Sequence, residues 1–253
     1  MPIYSKPVRL LFKDMVIELQ VGPDSVLTRE QALGWFKSRY PKIKPGTITA
    51  HLIKLSTNAP SRVHYNVNPG GDDDLFYQID SGHYRLYRPQ TDPQPIYEKK
   101  PEESASEAIA SEIAEEARET ADSNEFSYER DLQSFLSKNL SLIEPNLHLY
   151  EEEGITGIEY PAGGRYIDIL ALDKQNNFVV IELKVSRGYD RVVGQLLRYM
   201  AWIKKNLADP NQSVRGVIIA RELSDDLLLA ASQVQGIRLY NYKMSVSLSP
   251  VMP

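Results

Sequence analysis

The stretch Phe178-Val179-Val180-Ile181-Glu182-Leu183-Lys184 decides how this chain folds. Its first four residues are apolar without alternation, as in a strand buried on both faces at the centre of a sheet. Glu182 and Lys184 follow without a break. Side chains two apart on a strand share a face, so these two charges project together from the end of a buried strand. Burying them without partners is costly. The preceding segment, Gly164-Arg165-Tyr166-Ile167-Asp168-Ile169-Leu170, sets Asp168 between two isoleucines, a carboxylate where a core residue is expected. If the two segments pair across the Lys174-Gln175-Asn176-Asn177 turn, Asp168 and Glu182 come side by side. Converging carboxylates offer oxygen-only donors, which suit Mg²⁺ or Mn²⁺. A lysine beside them can stabilise a developing anionic phosphate or help to orient water. The competing reading is a buried ion pair kept for packing specificity, a role that does not call for Asp, Glu and Lys together at strand ends.

Working outward, residues 128–140 form an amphipathic helix with Leu132, Phe135, Leu136 and Leu140 on one face. Strands are predicted over residues 155–160, 166–172 and 178–185. A helix over 189–207 turns Val192, Val193, Leu196, Leu197, Met200 and Ile203 inward. A strand over 214–220, a helix over 224–235 and a strand over 237–246 complete the order α-β-β-β-α-β-α-β. That order predicts an α/β fold, a mixed sheet flanked by helices.

These residues resemble the PD-(D/E)xK nuclease core. Asp168, then Glu182-x-Lys184, is its signature, and the element order agrees. Glu182-x-Lys184 alone is a weak signal. The fuller set adds Gly194-Gln195-Leu196-Leu197-Arg198-Tyr199 to the two segments quoted above and is similar to the NucS-like (EndoMS) endonucleases over about residues 126–220. The resemblance implies a restriction-endonuclease-like core with Asp168, Glu182 and the Leu183 carbonyl as metal ligands and Lys184 as the catalytic lysine. It implies active-site roles for Gln195 and Tyr199, one turn apart on the following helix, and for Glu129 on the first helix. Glu129 also has a simpler reading, a first-turn carboxylate favourable to the helix dipole. Arg165 and Arg198 are candidate phosphate contacts. The family's proline is replaced here by Ile167 before Asp168. Residues 1–92 do not resemble the β-rich N-terminal domain of NucS, so mismatch specificity is not inherited.

In residues 1–92, Thr28 and Gln31 form a capping box that opens a helix ended by Pro41. Pro45-Gly46-Thr47 starts another helix, and Ser81-Gly82 marks a hairpin. Helices followed by a hairpin predict a small α+β domain of winged-helix type, whose third helix enters the major groove. That helix would present Lys44, Thr47, Thr49, His51 and Lys54 to DNA. Asp72-Asp73-Asp74 favours protein contacts instead, because carboxylates there repel a phosphate backbone.

The chain has 253 residues and a net charge of −5, with no cysteine, which excludes disulfides, thiolate zinc sites and a cysteine nucleophile. The acidity is concentrated: residues 93–127 hold 3 Lys and Arg against 10 Asp and Glu, whereas residues 1–92 hold 12 against 9. This predicts domains at 1–92 and 124–253, joined by an acidic linker over 93–123 and folding independently. No signal-peptide pattern and no apolar run of about 20 residues is present, so a soluble, cytoplasmic protein with no membrane association is expected. The expected function is a Mg²⁺-dependent endonuclease (Mn²⁺ substituting) acting on double-stranded DNA, targeted by residues 1–92 and serving restriction or defence. A NucS-like repair nuclease and a non-catalytic DNA-binding regulator are the rivals. A homodimer is expected, because one site cuts one strand and two-fold symmetry supplies the second.

Overall fold

The computed structural model describes residues 4–98, 123–188 and 190–243. The N-terminal part runs α1 (Val8–Glu18), β1 (Leu27–Thr28), α2 (Arg29–Arg39), α3 (Pro45–Lys54), a 3-10 turn (Pro60–His64), β2 (Phe76–Gln78) and β3 (His83–Leu86). The capping box is present: the Thr28 hydroxyl accepts from Gln31 N at 3.1 Å, and Gln31 Oε1 accepts from Thr28 N at 2.8 Å. Pro45 opens α3 in its first turn, where a missing N–H leaves no bond unmade. A small antiparallel sheet forms in the order β1-β3-β2. Its strands and the three helices close over Phe12, Phe36, Phe76, Leu11, Met15 and Leu52. Asp72 pairs with Lys13, and Asp74 with the buried Arg62, so the acidic triplet is largely neutralised internally.

The C-terminal part begins with α4 (Ser123–Lys138) and a 3-10 turn (Leu140–Leu142). Five strands follow: β4 (His148–Leu149), β5 (Glu151–Glu152), β6 (Ile155–Thr156), β7 (Ile158–Ala162) and β8 (Arg165–Leu172). After β9 (Phe178–Gly188) come α5 (Arg191–Asn206), β10 (Val214–Leu223), α6 (Asp225–Ser232) and β11 (Ile237–Asn241). The main sheet has six strands in the order β11-β10-β9-β8-β4, with β7 also paired to β8. The β7–β8–β9 run is antiparallel and the β9–β10–β11 run parallel, so the sheet is mixed, as predicted. β9 is its centre. One face packs Leu170, Val180 and Ile218 against Leu196, Tyr199 and Ile203 of α5. The other packs Ile169, Val179, Ile181 and Leu183 against Leu132 and Leu136 of α4.

Between β4 and β7 the chain leaves the sheet edge as a small hairpin, β5–β6. Gly157 N donates to Tyr150 O at 2.8 Å across the base of this excursion, and Leu170 N donates to Gly157 O at 2.7 Å. Only glycine fits there, because a Cβ would lie 2.0 Å from the Leu170 carbonyl oxygen. The hairpin reaches the N-terminal part. Glu153 Oε2 accepts from Val8 N at 2.7 Å, and Thr47 Oγ1 donates to Glu152 Oε2 at 2.7 Å. Lys54 Nζ donates to Glu153 O at 3.2 Å, and Asn66 N to Gly154 O at 2.9 Å.

Two expectations are overturned here. The first is that the halves fold independently. Ala50, Ile53, Ala59 and Tyr65 share one apolar core with Tyr150, Ile155, Tyr160 and Leu207. The second is that α3 offers a face to DNA. Thr47, Thr49, His51 and Lys54 are all buried. Lys44 is partly covered and paired with Asp209 at 2.7 Å. The polar residues of α3 face a second layer of protein, and Ala50 and Ile53 pack into that layer too, while Ile48, Leu52 and Leu55 face the N-terminal core. Of the expected linker, residues 99–122 lie outside the described residues, as do the helix start predicted at residue 189 and the strand end predicted beyond residue 243. Residues 96 and 97 dock on the N-terminal part, with Ile96 N donating to Thr57 O at 2.8 Å. Among the described residues no helix is long and apolar enough to cross a membrane.

Candidate active site

β8 and β9 pair in register from Leu172/Phe178 to Ile169/Ile181. One step further, Asp168 would face Glu182. There the backbone ladder gives way to a side chain: Leu183 N donates to Asp168 Oδ2 at 2.7 Å. A carboxylate thus takes the place of a strand carbonyl and is locked to β9. The carbonyl of Asp168 is held from the other side, by Gln133 Nε2 of α4 at 3.0 Å. Gln133 lies one turn after Glu129, so both point towards the Asp168 end of β8. The alternation of β9 sets Glu182 and Lys184 on the α5 face, with Val180 before them. Glu182 is 1% exposed, and Lys184 Nζ donates to its Oε1 at 3.0 Å.

The electrostatics follow from crowding. Burial pushes the Asp168 carboxyl up to about 7, with the Glu129 charge adding to the rise and Lys184 opposing it. Burial also works against the charge on Lys184, but Glu182, Asp168 and Glu129 outweigh it and raise its pKa. Lys184 therefore stays cationic. Tyr199, buried on α5, is pushed up to about 12, by burial first and by the Glu182 charge second, so it stays a neutral phenol. Gln195 Nε2 reaches the Tyr199 hydroxyl at 3.4 Å, a long bond.

The structure thus brings together Asp168, Glu182, Lys184, Gln195 and Tyr199, and it brings Glu129 within electrostatic reach. Leu183 offers its N–H to Asp168, while its side chain belongs to the α4-facing core. Arg165 starts β8, and the exposed Arg198 lies with its guanidinium 4.8 Å from the Tyr199 ring centroid. The α3 residues are not part of this site. Sequence reasoning missed Gln133. Its signal was available: a glutamine four residues after Glu129, in line with the helix's apolar stripe.

The donor chemistry fits a divalent cation. The available groups are oxygens, and a buried carboxyl held near 7 by burial first and the Glu129 charge second is one whose ionised form such a cation would favour. Among the described residues no group of three or more Asp, Glu, His or Cys side chains is gathered for metal binding. The fit is to two carboxylates completed by backbone and solvent.

Comparison with known proteins matches this half of the chain to a family. Residues 128–242 match the Endonuclease NucS C-terminal domain, and residues 7–86 match a domain of unknown function, DUF7669. Endonuclease NucS of Methanopyrus kandleri is 29% identical over 119 residues, covering 46% of this chain and 42% of that protein. Endonuclease NucS of Methanocaldococcus jannaschii is 36% identical over 75 residues, 29% of this chain and 28% of that protein. The chain thus spans less than half the length of these curated relatives. A repair endonuclease from Pyrococcus abyssi aligns with a TM-score of 0.38 at 23% identity, over 46% of each chain. A structure titled as an EndoMS complex with double-stranded DNA aligns at 0.37 and 24%, again over 46% of each chain. The C-terminal half resembles the NucS-like endonucleases, and the N-terminal half does not share in that match.

Proposed function

We propose that the protein is a metal-dependent DNA endonuclease of NucS-like type. The observation that carries this reading is the Asp168–Glu182–Lys184 cluster at the end of a buried strand, backed by Gln195 and Tyr199. Asp168, Glu182 and the Leu183 carbonyl would hold Mg²⁺ or Mn²⁺. When bound, that ion lowers the pKa of water and neutralises charge on a phosphodiester. Lys184 stays cationic and stabilises the extra negative charge of the attacked phosphate. Gln133 and the Leu183 N–H fix Asp168 at both ends, so it meets its ligand without rotamer search. Tyr199 and Gln195 donate hydrogen bonds on the α5 side and orient water or substrate. Glu129 supplies further negative charge towards the cation.

Read as a NucS-like nuclease, the protein would serve repair rather than restriction or defence. The order α-β-α-α-β-β and the β1-β3-β2 sheet support a winged-helix reading of the N-terminal half. With α3 covered, duplex contact falls instead to groups around the catalytic face, Arg165 and Arg198 among them. A homodimer supplies the second site for a duplex break.

The test is cleavage of plasmid, mismatched and branched DNA with Mg²⁺ or Mn²⁺ titrated. Asp168→Asn and Lys184→Gln are expected to lose on the order of 10²-fold or more in rate. Full cleavage in excess chelator, or wild-type rate for Lys184→Gln, overturns the reading.

A further inference from the structure

Glu159 is the carboxylate the catalytic cluster leaves unexplained. β7 and β8 pair Ile158 with Ile169 and Tyr160 with Ile167, and Glu159 and Asp168 are the two residues left between those pairs. Like charges brought close on neighbouring strands are destabilising. Glu159 is also a non-glycine residue with φ 47°, a left-handed conformation inside a strand. Both features cost stability, and backbone strain of this kind concentrates at functional positions. The N-terminal half holds the residue there. Ser61 Oγ donates to Glu159 Oε2 at 3.1 Å, and His64 Nε2 lies 3.3 Å from Oε1. The Tyr65 hydroxyl reaches the Glu159 carbonyl at 3.5 Å. Ser61, His64 and Tyr65 belong to one turn and its cap. The Glu159 charge contributes to the raised pKa of Asp168.

We propose that Glu159 is a positioning residue of the nuclease site, a carboxylate tethered near Asp168 by Ser61 and His64, through which the N-terminal half sets the site's affinity for its divalent cation. The inference rests on the endonuclease reading above. Glu159 acts by its charge, at a distance, and leaves the first ligands to Asp168 and Glu182. The strained strand position keeps that charge beside Asp168, and the turn keeps it pointing one way. The N-terminal half thereby contributes to the catalytic site without touching substrate.

The experiment uses the full chain and titrates Mn²⁺ calorimetrically, with Asp168→Asn, Glu159→Gln and His64→Ala compared with wild type. Glu159→Gln keeps shape and removes charge. It is expected to weaken Mn²⁺ binding by about tenfold or more, because one carboxylate near a divalent ion counts for more in a partly buried site than in bulk water. In cleavage, the Mn²⁺ concentration at half-maximal rate rises by the same factor, while the rate at saturating Mn²⁺ falls less than threefold. His64→Ala is expected to change Mn²⁺ affinity severalfold in the wild-type background and not in Glu159→Gln, because coupled residues are non-additive. Unchanged Mn²⁺ affinity in Glu159→Gln, with Asp168→Asn abolishing binding, overturns the proposal and leaves the nuclease reading intact. Full Mn²⁺ binding in Asp168→Asn overturns the nuclease reading, and this proposal with it. Additive effects of His64→Ala and Glu159→Gln overturn the tether.

Discussion

Asp168 carries a conflict between stability and chemistry. Its pKa stands near 7 in the folded chain against an ordinary value of 3.8. A carboxyl whose pKa is raised on folding favours the folded state at low pH. That stability is lost as pH rises from about 4 to about 7, where the unfolded chain ionises first. Asp168→Asn is therefore expected to melt higher than wild type at pH 8 without metal, and the gap should close towards pH 4. Thermal melts across that range check the sign. His51 predicts the opposite slope. It is fully buried on α3, with Nδ1 bonded to Thr47 O at 2.9 Å, Glu153 3.9 Å from Nε2 and Lys54 nearby. Burial pulls its pKa down to about 4 from 6.5. The folded chain refuses a proton that the unfolded chain takes, so stability falls as pH drops from 6.5 to 4. The loss is bounded at about 3 kcal/mol. His51→Gln should flatten that part of the pH–stability curve, read by denaturant titration.

Among the elements, β9 was the most legible in sequence and α3 the least. An unbroken apolar run ending in Glu182-x-Lys184 has few solutions other than a central strand with charge at its end. The α3 sequence, by contrast, places Thr47, Thr49, His51 and Lys54 where a solvent-facing or DNA-facing surface reads naturally. Their partners Glu152 and Glu153 come from a hairpin far along the chain, which no local pattern foretells. Glu159 was invisible for a related reason. Its place is set by the β7–β8 register and a left-handed backbone, neither of which leaves a mark in composition. The covered helix makes a direct prediction. Lys44→Ala with Lys54→Ala should leave the salt dependence of DNA binding unchanged, since neither releases counterions from a phosphate. A flattened slope in an electrophoretic titration at several salt concentrations would restore the groove-reading role of α3.

For the whole molecule, the shared core implies joint unfolding. A fragment from residue 124 onward would expose Tyr150, Ile155, Tyr160 and Leu207, which α3 and its neighbours now cover. It is expected to be much less stable than the full chain or to aggregate, and the full chain should melt in a single transition. Ile53→Ala should lower that single transition by about 2–4 kcal/mol. Two separate transitions, with only one moved by Ile53→Ala, would contradict the joint core. The overall architecture was legible because alternation and turn residues locate strands and helices one at a time. The docking of the halves was not, because both sides of that seam look like ordinary surface until they meet.

The excursion between Tyr150 and Gly157 has a consequence for protein engineering. The Tyr150–Gly157 hydrogen bond closes the gap beneath β5–β6, so the sheet is complete without the hairpin. Residues 151–156 are thus a detachable socket, carrying the carboxylates and carbonyls that seat the N-terminal half. Grafting those six positions onto the edge of another nuclease sheet, with the glycine that follows, would transplant most of the polar seat for this module. Excising them would strip most of that polar seat and leave the module held by the apolar core it shares with Tyr160 and Leu207. The two halves are less a string of beads than a plug and its fitting, and the fitting is short enough to move.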